Sequence, residues 1–227
     1  ADHTVEAFPA DFDSDGDMDI VTAVYGGANK VFINNGSGSF ANPGVSLSTL
    51  NTHSICAADF NGDGYVDIVE GTSMGGNRYW INNGSASFTN SGQLLGTYPT
   101  TTTSAYDMNG DGSPDIVFSN TSAQTDKIYV NNGSGTFSDS GQAIDTTDTY
   151  ASAIGDYDGD GDIDIYQANN SSQPDEVKLN DGAGNFSDSG LSIGNLSAYM
   201  GITADIDGDG DLDLIQGNIE AGGYVKI

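Results

Sequence analysis

Apolar residues fall in short clusters along this chain, and the clusters repeat. Pairs of branched or aromatic residues occur at Ile20-Val21, Ile68-Val69, Ile116-Val117, Ile165-Tyr166 and Leu214-Ile215. A second run follows each pair: Val31-Phe32-Ile33, Tyr79-Trp80-Ile81, Ile128-Tyr129-Val130, Val177-Lys178-Leu179 and Val225-Lys226-Ile227. Four of these lead into Asn35-Gly36, Asn83-Gly84, Asn132-Gly133 or Asp181-Gly182, residue types that accept the positive φ of a tight hairpin. A Phe stands at a fixed offset after each turn (Phe40, Phe88, Phe137, Phe186) and opens a Ser/Gly-rich third strand. Packing between sheets is the expectation for these four rings. A fourth strand, such as residues 54–58 or 152–155, precedes the pair that begins the cycle. Nowhere do apolar residues recur at 3.6 spacing, and Gly, Asn, Ser and Thr interrupt every stretch long enough for a helix. The predicted unit is a four-stranded antiparallel meander.

Between the fourth strand and the apolar pair lies a segment of nine residues that holds most of the chain's 33 acids. Its five copies start at Asp11, Asp59, Asp107, Asp156 and Asp205, 48 or 49 residues apart. A period of this length marks an array of one supersecondary unit. A single sheet cannot bury both its faces, whereas sheets arranged radially cover one another. The expected fold is therefore all-β: a β-propeller of five blades, mostly of four antiparallel strands, with the last blade lacking its outer strand in this chain. We take residues 1–227 as one domain, with repeats at about 4–51, 52–99, 100–148, 149–197 and 198–227. A part of a larger ring and a trimmed chain fit the same pattern.

Each acidic segment reads D-x-[DN]-x-D-G-x-x-D. Side-chain oxygens at positions 1, 3, 5 and 9 converge if the Gly at position 6 turns sharply, and position 7 adds a backbone carbonyl whatever its side chain. The candidate ligands are Asp11, Asp13, Asp15, Asp17 and Asp19 in the first loop, and Asp59, Asn61, Asp63, Tyr65 and Asp67 in the second. The third loop offers Asp107, Asn109, Asp111, Ser113 and Asp115, and the fourth Asp156, Asp158, Asp160, Asp162 and Asp164. Asp205, Asp207, Asp209, Asp211 and Asp213 make up the fifth. An all-oxygen cage of six or seven ligands suits Ca²⁺, about five ions, one per repeat. Mg²⁺ prefers a tighter octahedron, and Zn²⁺ calls for His or Cys, which the loops lack.

An EF-hand loop starts alike but carries a bidentate Glu at position 12. That position here is Thr22, Glu70, Phe118, Gln167 and Gln216, and strand formers follow every loop. The EF-hand is excluded. Asn61 and Asn109 remove one charge from the second and third loops, which are expected to bind more weakly. Free carboxylates crowded at this density repel strongly, so five solvated acidic turns without a cation are disfavoured.

The loop followed by Ile/Leu-Val resembles the FG-GAP/VCBS repeat of integrin α-subunit propellers and of many secreted bacterial and fungal proteins. The resemblance covers essentially the whole chain. It implies that each loop joins the two inner strands of a blade and holds one Ca²⁺. The Phe-Gly and Gly-Ala-Pro signatures of the integrin form are missing: Val69-Glu70-Gly71-Thr72 stands where Gly-Ala-Pro belongs. The VCBS type, which includes lectins, is the nearer likeness, although fold alone transfers no function.

With 33 acids against 5 bases, the formal charge is −28. No basic stripe exists to neutralise phosphates, which excludes nucleic acid as partner, and anionic membrane surfaces are excluded on the same grounds. No apolar run approaches the ~18 residues of a spanning helix, so no membrane insertion is expected. Cys56 is the only cysteine and sits among apolar neighbours, as a buried, inert thiol would. Loops with Asn ligands saturate in millimolar calcium, which points to a secreted or cell-surface protein.

The calcium loops account for the fold and leave the activity open. One inner-strand position per repeat, six before each loop, is expected to ring the opposite mouth: Val5, His53, Thr101, Tyr150 and Tyr199. We take His53, Tyr150, Tyr199 and the blade-edge Trp80 as candidate ligand contacts, although Trp80 aligns with Phe32 and Tyr129 and the interblade core is the alternative place for it. Aromatic platforms with Asn and Gly hydrogen bonds suit a carbohydrate, so a lectin-like module binding glycans is the leading reading. The rival is an adhesion or assembly scaffold within a larger surface protein, its partners extracellular proteins or further copies joined through the incomplete blade. Catalysis is thinly supported and no catalytic residue is assigned. The best enzyme reading is a lyase using Tyr150 or Tyr199 with His53, and a hydrolase finds no obvious carboxylate pair.

Overall fold

The structure, a computed structural model, describes residues 3–41, 45–170, 173–193 and 197–218. These residues form strands and no helix. The first sheet runs β1 (His3–Ala10), β2 (Asp19–Tyr25), β3 (Lys30–Asn34) and β4 (Phe40–Ala41). The second comprises β5 (Thr52–Ala58), β6 (Asp67–Thr72), β7 (Arg78–Asn82) and β8 (Phe88–Leu94). β9 (Thr100–Tyr106), β10 (Asp115–Asn120), β11 (Lys127–Asn131) and β12 (Phe137–Asp139) make the third. The fourth holds β13 (Thr149–Gly155), β14 (Asp164–Asn169), β15 (Asp175–Asn180) and β16 (Phe186–Ile193). The fifth pairs β17 (Ala198–Ala204) with β18 (Asp213–Asn218), and the strand expected at 225–227 lies outside the described residues. Within each sheet the strands follow in chain order and pair antiparallel.

The innermost strands β1, β5, β9, β13 and β17 pack each on the next, which makes the sheets blades of a β-propeller. No comparable packing joins β17 to β1 among the described residues. Second strands β6, β10 and β14 are buried at every position. A strand covered on both faces buries its apolar pair (Ile68-Val69, Ile116-Val117, Ile165-Tyr166) and its polar residues alike, so Asp67, Glu70, Asp115, Asp164 and Gln167 lie inside as well. Outer strands such as β8 alternate exposed and half-buried residues, matching their Ser, Asn and Thr content.

Four contacts recur between blades. First, the side chain at loop position 2 meets the fixed Phe of the following blade: Phe12 lies edge-on to Phe88 at 5.7 Å and Phe60 to Phe137 at 5.5 Å. Met108 and Phe186 share the next cluster. Phe88, Phe137 and Phe186 thus pack against the core as expected, but Phe40 does not: among the described residues no blade packs in front of the first, and the ring is 44% exposed.

Second, the Asn closing each third strand bonds back. Nδ2 of Asn82, Asn131 and Asn180 donates to the carbonyls of Phe12, Phe60 and Met108 at 2.8, 2.8 and 2.9 Å. Third, Gln93 and Gln142 clamp the next hairpin through backbone bonds to Gly135 and Phe137, and to Gly184 and Phe186.

The fourth contact involves loop position 12. Asn29 Nδ2 donates to Glu70 Oε1 at 2.6 Å, and Gln167 Nε2 donates to Asp126 Oδ2 at 2.6 Å. Gln216 Nε2 likewise donates to Asp175. The amide and the carboxylate exchange sides between blades, so at these three seams one donor meets one acceptor. Phe118 stands at position 12 of the third loop, and the second blade's Asn77 bonds Thr100 instead at 3.0 Å.

The hairpins between third and outer strands differ from the sequence expectation. Asn34 pairs with Phe40, and Asn35 N–H donates to Ser39 O at 3.2 Å, so the turn is a five-residue loop and not a two-residue one. Asn35 Oδ1 accepts from the N–H groups of Ser37 and Ser39, while Gly36 and Gly38 take the positive φ. Cys56 is buried and free, its thiol pushed up to about 12 by burial, as an inert core residue should be.

Asp126 is the least comfortable of the interblade groups. Burial pushes its carboxyl up to about 7, against bonds from Asn120, Thr149 and Gln167, with Asp145 adding repulsion. A raised folded-state value means that its contribution is complete below the ordinary value near 3.8 and is lost as pH rises through about 7. Blades one and two carry Asn at this position, and Gln167 Oε1 is a buried acceptor without a partner. Asp126→Asn, with the Gln167 amide turned over, is therefore expected to raise Tm at pH 8 by several degrees, at roughly 2–4 °C per kcal/mol. Thermal melts between pH 5 and 8 should also show a flatter pH dependence than the parent; an equal or lower Tm at pH 8 contradicts the assignment.

Candidate metal centres and mouth

Each acidic loop joins the two inner strands of its blade, from β1 to β2 and onward. The turn depends on glycine at position 6: Gly16, Gly64, Gly112, Gly161 and Gly210 all have φ between 87° and 100°. Position 4 is left-handed as well, with φ of 73–79° at Gly62, Gly110, Gly159 and Gly208, and 63° at Ser14.

The position 1 carboxylate organises the loop from within. Asp59 accepts from the N–H groups of Gly62, Asp63 and Gly64 at 2.8, 3.1 and 2.8 Å. Asp11, Asp107, Asp156 and Asp205 each take two such bonds, the second always from the position 6 glycine. Asp15, Asp63, Asp111, Asp160 and Asp209 at position 5 accept from the N–H of position 7. These bonds leave further carboxylate lone pairs directed at the loop centre.

Three loops bring carboxylate oxygens within 4.8 Å of one another: Asp11, Asp13 and Asp15; Asp156, Asp158 and Asp164; Asp205, Asp207 and Asp213. At about 4 Å two such charges repel by about 1 kcal/mol in bulk water and about 4 kcal/mol at a protein surface. Asp13 shows the strain. Burial, then the charges of Asp15 and Asp19, push its carboxyl up, and Oδ1 is buried with no hydrogen-bond partner. A hard, oxygen-seeking cation meets each requirement, and these residues fit one. In the second loop Asn61 relieves the crowding, donating to Asp63 Oδ2 at 3.0 Å. Asn109 at the same position of the third loop accepts from Asp111 N–H at 2.9 Å.

Two positions do more than the sequence indicates. Asp19, Asp67, Asp115 and Asp164 at position 9 are fully buried. In the first blade Asp19 accepts from Phe12 N–H and Asn34 N–H at 2.8 Å each, tying the loop to the end of the third strand. Asp115 and Asp164 repeat both bonds, and Asp67 adds the Tyr79 hydroxyl at 2.7 Å. Position 7 side chains, expected to be indifferent, lie over the hairpin of their own blade. Asp17, Tyr65, Ser113 and Asp162 occupy the space where a Cβ on Gly36, Gly84, Gly133 or Gly182 would stand.

The other end of the inner strands carries the mouth. Val5, His53, Thr101, Tyr150 and Tyr199 are the residues skipped at the pairing irregularity of each inner strand, one β-bulge per blade at the same place. A bulge re-aims the side chain it frees. The structure brings Tyr150 and Tyr199 together, ring centroids 4.5 Å apart. His53 stacks edge-on against Tyr25 at 5.3 Å, on other blades. Burial, then the bond with Tyr199, pushes the Tyr150 phenol up, the wrong direction for a base near neutral pH. Trp80 is not in this ring; it packs between the first two blades with its indole N–H unpartnered. A cavity of about 310 Å³ near the tyrosine pair is lined by Thr146, Thr147, Asp148, Asn170 and Gln173, with Ala123. Cavities of about 470 and 420 Å³ lie between neighbouring acidic loops at the opposite face.

Comparison with known proteins agrees with this geometry. A family model described as FG-GAP-like repeat matches residues 11–70, 59–118, 107–167 and 156–215. No curated protein matches. Among solved structures, BBS1N in complex with ARL6DN aligns with a TM-score of 0.61 at 14% identity, over 95% of this chain and 63% of that one. The Vibrio cholerae biofilm matrix protein Bap1 aligns with a TM-score of 0.52 at 15% identity, over 95% of this chain and 35% of its own. The chain thus spans under two thirds of these structures, and the likeness at such identities is one of fold.

Ser14 holds the left-handed position that glycine fills in the other four loops. A non-glycine residue there costs on the order of 1 kcal/mol. Ser14→Gly is expected to raise the denaturation midpoint by about that amount without changing the m-value in a urea titration, and a destabilised variant would contradict the strain.

Proposed function

This chain belongs to the FG-GAP-like repeat family, and from that premise we propose that it is a secreted or cell-surface recognition module, held together by Ca²⁺ in its acidic loops and binding carbohydrate at the mouth opposite them. The calcium reading rests on the all-oxygen donor sets and on the crowded carboxylates of the first, fourth and fifth loops. Asp11, Asp13 and Asp15 would hold the ion in the first loop, Asp156, Asp158 and Asp164 in the fourth, and Asp205, Asp207 and Asp213 in the fifth. The Asn-bearing loops supply one charge less and would fill last. Such sites saturate in extracellular calcium.

The observation that carries the binding reading is the β-bulge shared by all five inner strands. It directs one variable side chain per blade to the mouth, where Tyr150 and Tyr199 form a platform beside a cavity of Thr, Asp, Asn and Gln. Flat aromatic area flanked by amide and hydroxyl groups suits a sugar, with its apolar ring face and hydroxyl rim. Catalysis finds no comparable support, since His53 stands apart from the tyrosine pair. A second reading, an adhesion or matrix-assembly module, draws on the likeness to a biofilm matrix protein and to a propeller solved in complex with a protein partner.

Two experiments test these proposals. With free calcium at about 100 times its dissociation constant, each site contributes roughly 2.7 kcal/mol, so several sites together rival the 5–15 kcal/mol of a typical domain. Excess EDTA is expected to lower Tm by tens of degrees relative to millimolar calcium; an unchanged melt with metal removal verified would refute structural calcium. On a glycan array in calcium, saturable binding to one sugar class, weakened at least tenfold by Tyr199→Ala, supports the lectin reading. An array without binding above background favours the assembly module.

A further inference from the structure

The residue just before an inner strand bridges two neighbouring blades. Asn51, before β5, accepts from Gly26 N–H of the first blade with Oδ1 at 3.0 Å, and from Ser73 N–H of the second with its carbonyl at 2.9 Å. Pro99, before β9, keeps only the carbonyl bond, from Thr121 N–H at 3.0 Å. Asp148, before β13, makes both again: Oδ1 accepts from Ala123 N–H at 2.7 Å and the carbonyl from Asn170 N–H at 2.9 Å. Asn51 demonstrates that an amide is enough for this joint. The negative charge at 148 is therefore surplus to the fold, and Asp148 Oδ2 makes no hydrogen bond among the described residues.

Asp148 lines the cavity of about 310 Å³ near the tyrosine pair, together with Thr147, Asn170 and Gln173. Asn170 also bonds the Tyr150 hydroxyl, and Asp148 is near enough for its charge to act on that phenol, so the cavity and the Tyr150–Tyr199 platform form one site. Ala123, in the same wall, and Ser122 beside it hold left-handed backbone at φ 54° and 63°, where the first blade uses Gly26. Backbone strain kept in residues other than glycine gathers at ligand sites. The volume stands at the small end of ligand pockets, which run from about 300 to 1,000 Å³. It suits a single sugar residue, with its neighbour in the chain over the tyrosines.

No base among the described residues answers Asp148. Lys127 and Lys178 pair with Asp139 and Glu176 of their own blades. The Arg78 guanidinium binds the carbonyls of Gly75, Gly76 and Asn77, and no described Lys or Arg lines the cavity. The chain as a whole carries a formal charge of −28. An anionic sugar would be repelled here, and a neutral one would leave the carboxylate with hydroxyl partners alone. An ammonium gives it a charge-assisted bond, the stronger kind, and is drawn to tyrosine faces as well.

We propose that the sugar bound at this mouth carries a free amine: a deacetylated hexosamine unit with its ammonium on Asp148 Oδ2, its hydroxyls on Asn170 and Gln173, and the next ring against Tyr199. The inference rests on the carbohydrate reading above and narrows it to one class of ligand.

The test is a glycan array in millimolar calcium at pH 6. It carries glucosamine and galactosamine oligomers in free-amine and N-acetylated forms, neutral glycans, and oligolysine as a cation without a sugar. One free-amine oligomer is expected to bind at least tenfold more tightly than its acetylated form, every neutral glycan and oligolysine. Asp148→Asn keeps both bonds of the joint, as Asn51 does, so its melt should match the parent while the preference for the free amine disappears. Should that variant fail to fold, raising the pH until the sugar's amine loses its proton must erase the preference in the parent. An acetylated or neutral glycan bound as tightly as the free amines overturns the proposal and leaves the carbohydrate reading standing; an array on which no glycan binds overturns both. Oligolysine bound as tightly as the amino sugar, or a preference that survives Asp148→Asn, also overturns it.

Discussion

Carboxylates gathered at five strand-to-strand turns, and forced close together at three of them, set the terms for the rest of this molecule. Repulsion between them has to be met by something, and the loops meet part of it internally. Backbone N–H groups converge on the position 1 aspartate, and a buried position 9 aspartate ties the loop to the end of the third strand. The remaining oxygens face one another. A cation bound there would do more than cancel charge: Asp19, which accepts from Phe12 N–H and Asn34 N–H, would couple it to the end of the third strand and to the residue that enters the next blade.

Blade order follows from the same turns. Loop position 2 inserts into the following blade by its side chain and accepts from that blade's Asn by its carbonyl, so the acidic turn and the interblade seam are the same few residues. The amide–carboxylate pairs at position 12 add a polar tie deeper in the seam, and their exchange of donor and acceptor between blades keeps neighbours matched. Asp126 marks the cost of this arrangement, a carboxyl whose burial only partly offset hydrogen bonds accompany.

Strand order, blade count and loop chemistry were legible in the sequence because each depends on a local signal that repeats: an apolar pair, a Gly at position 6, an aspartate every second residue. The features that escaped depend on contacts between repeats. Position 12 looked like evidence against an EF-hand and nothing more, since Glu70 and Gln167 acquire meaning only beside Asn29 and Asp126. Asn-Gly marked the tight hairpins but not their five-residue length, and the preceding Asn82, Asn131 and Asn180 were the informative residues, as their amides reach the neighbouring blade. Trp80 aligns with Phe32 and Tyr129, which left both a blade-edge contact and a place in the interblade core open, and the structure takes the second. The bulges at Val5, His53, Thr101, Tyr150 and Tyr199 were found by counting, but not their cause: one extra residue in an inner strand leaves no compositional trace. Phe40 shares its motif with three half-buried rings and differs in meeting no preceding blade among the described residues.

The two ends of the inner strands have separate tasks, acidic loops at one and variable bulged side chains at the other, so mouth residues can change without disturbing the loops. The central claim is that the loops bind calcium, and metal content measures it directly. With the purified chain in dialysis equilibrium with millimolar calcium, elemental analysis by mass spectrometry measures the metal in excess over the dialysate. It is predicted to find three to five calcium ions per molecule, with the three all-aspartate loops filled first as calcium is raised. Less than one calcium per molecule, or preferential retention of zinc, would contradict the account.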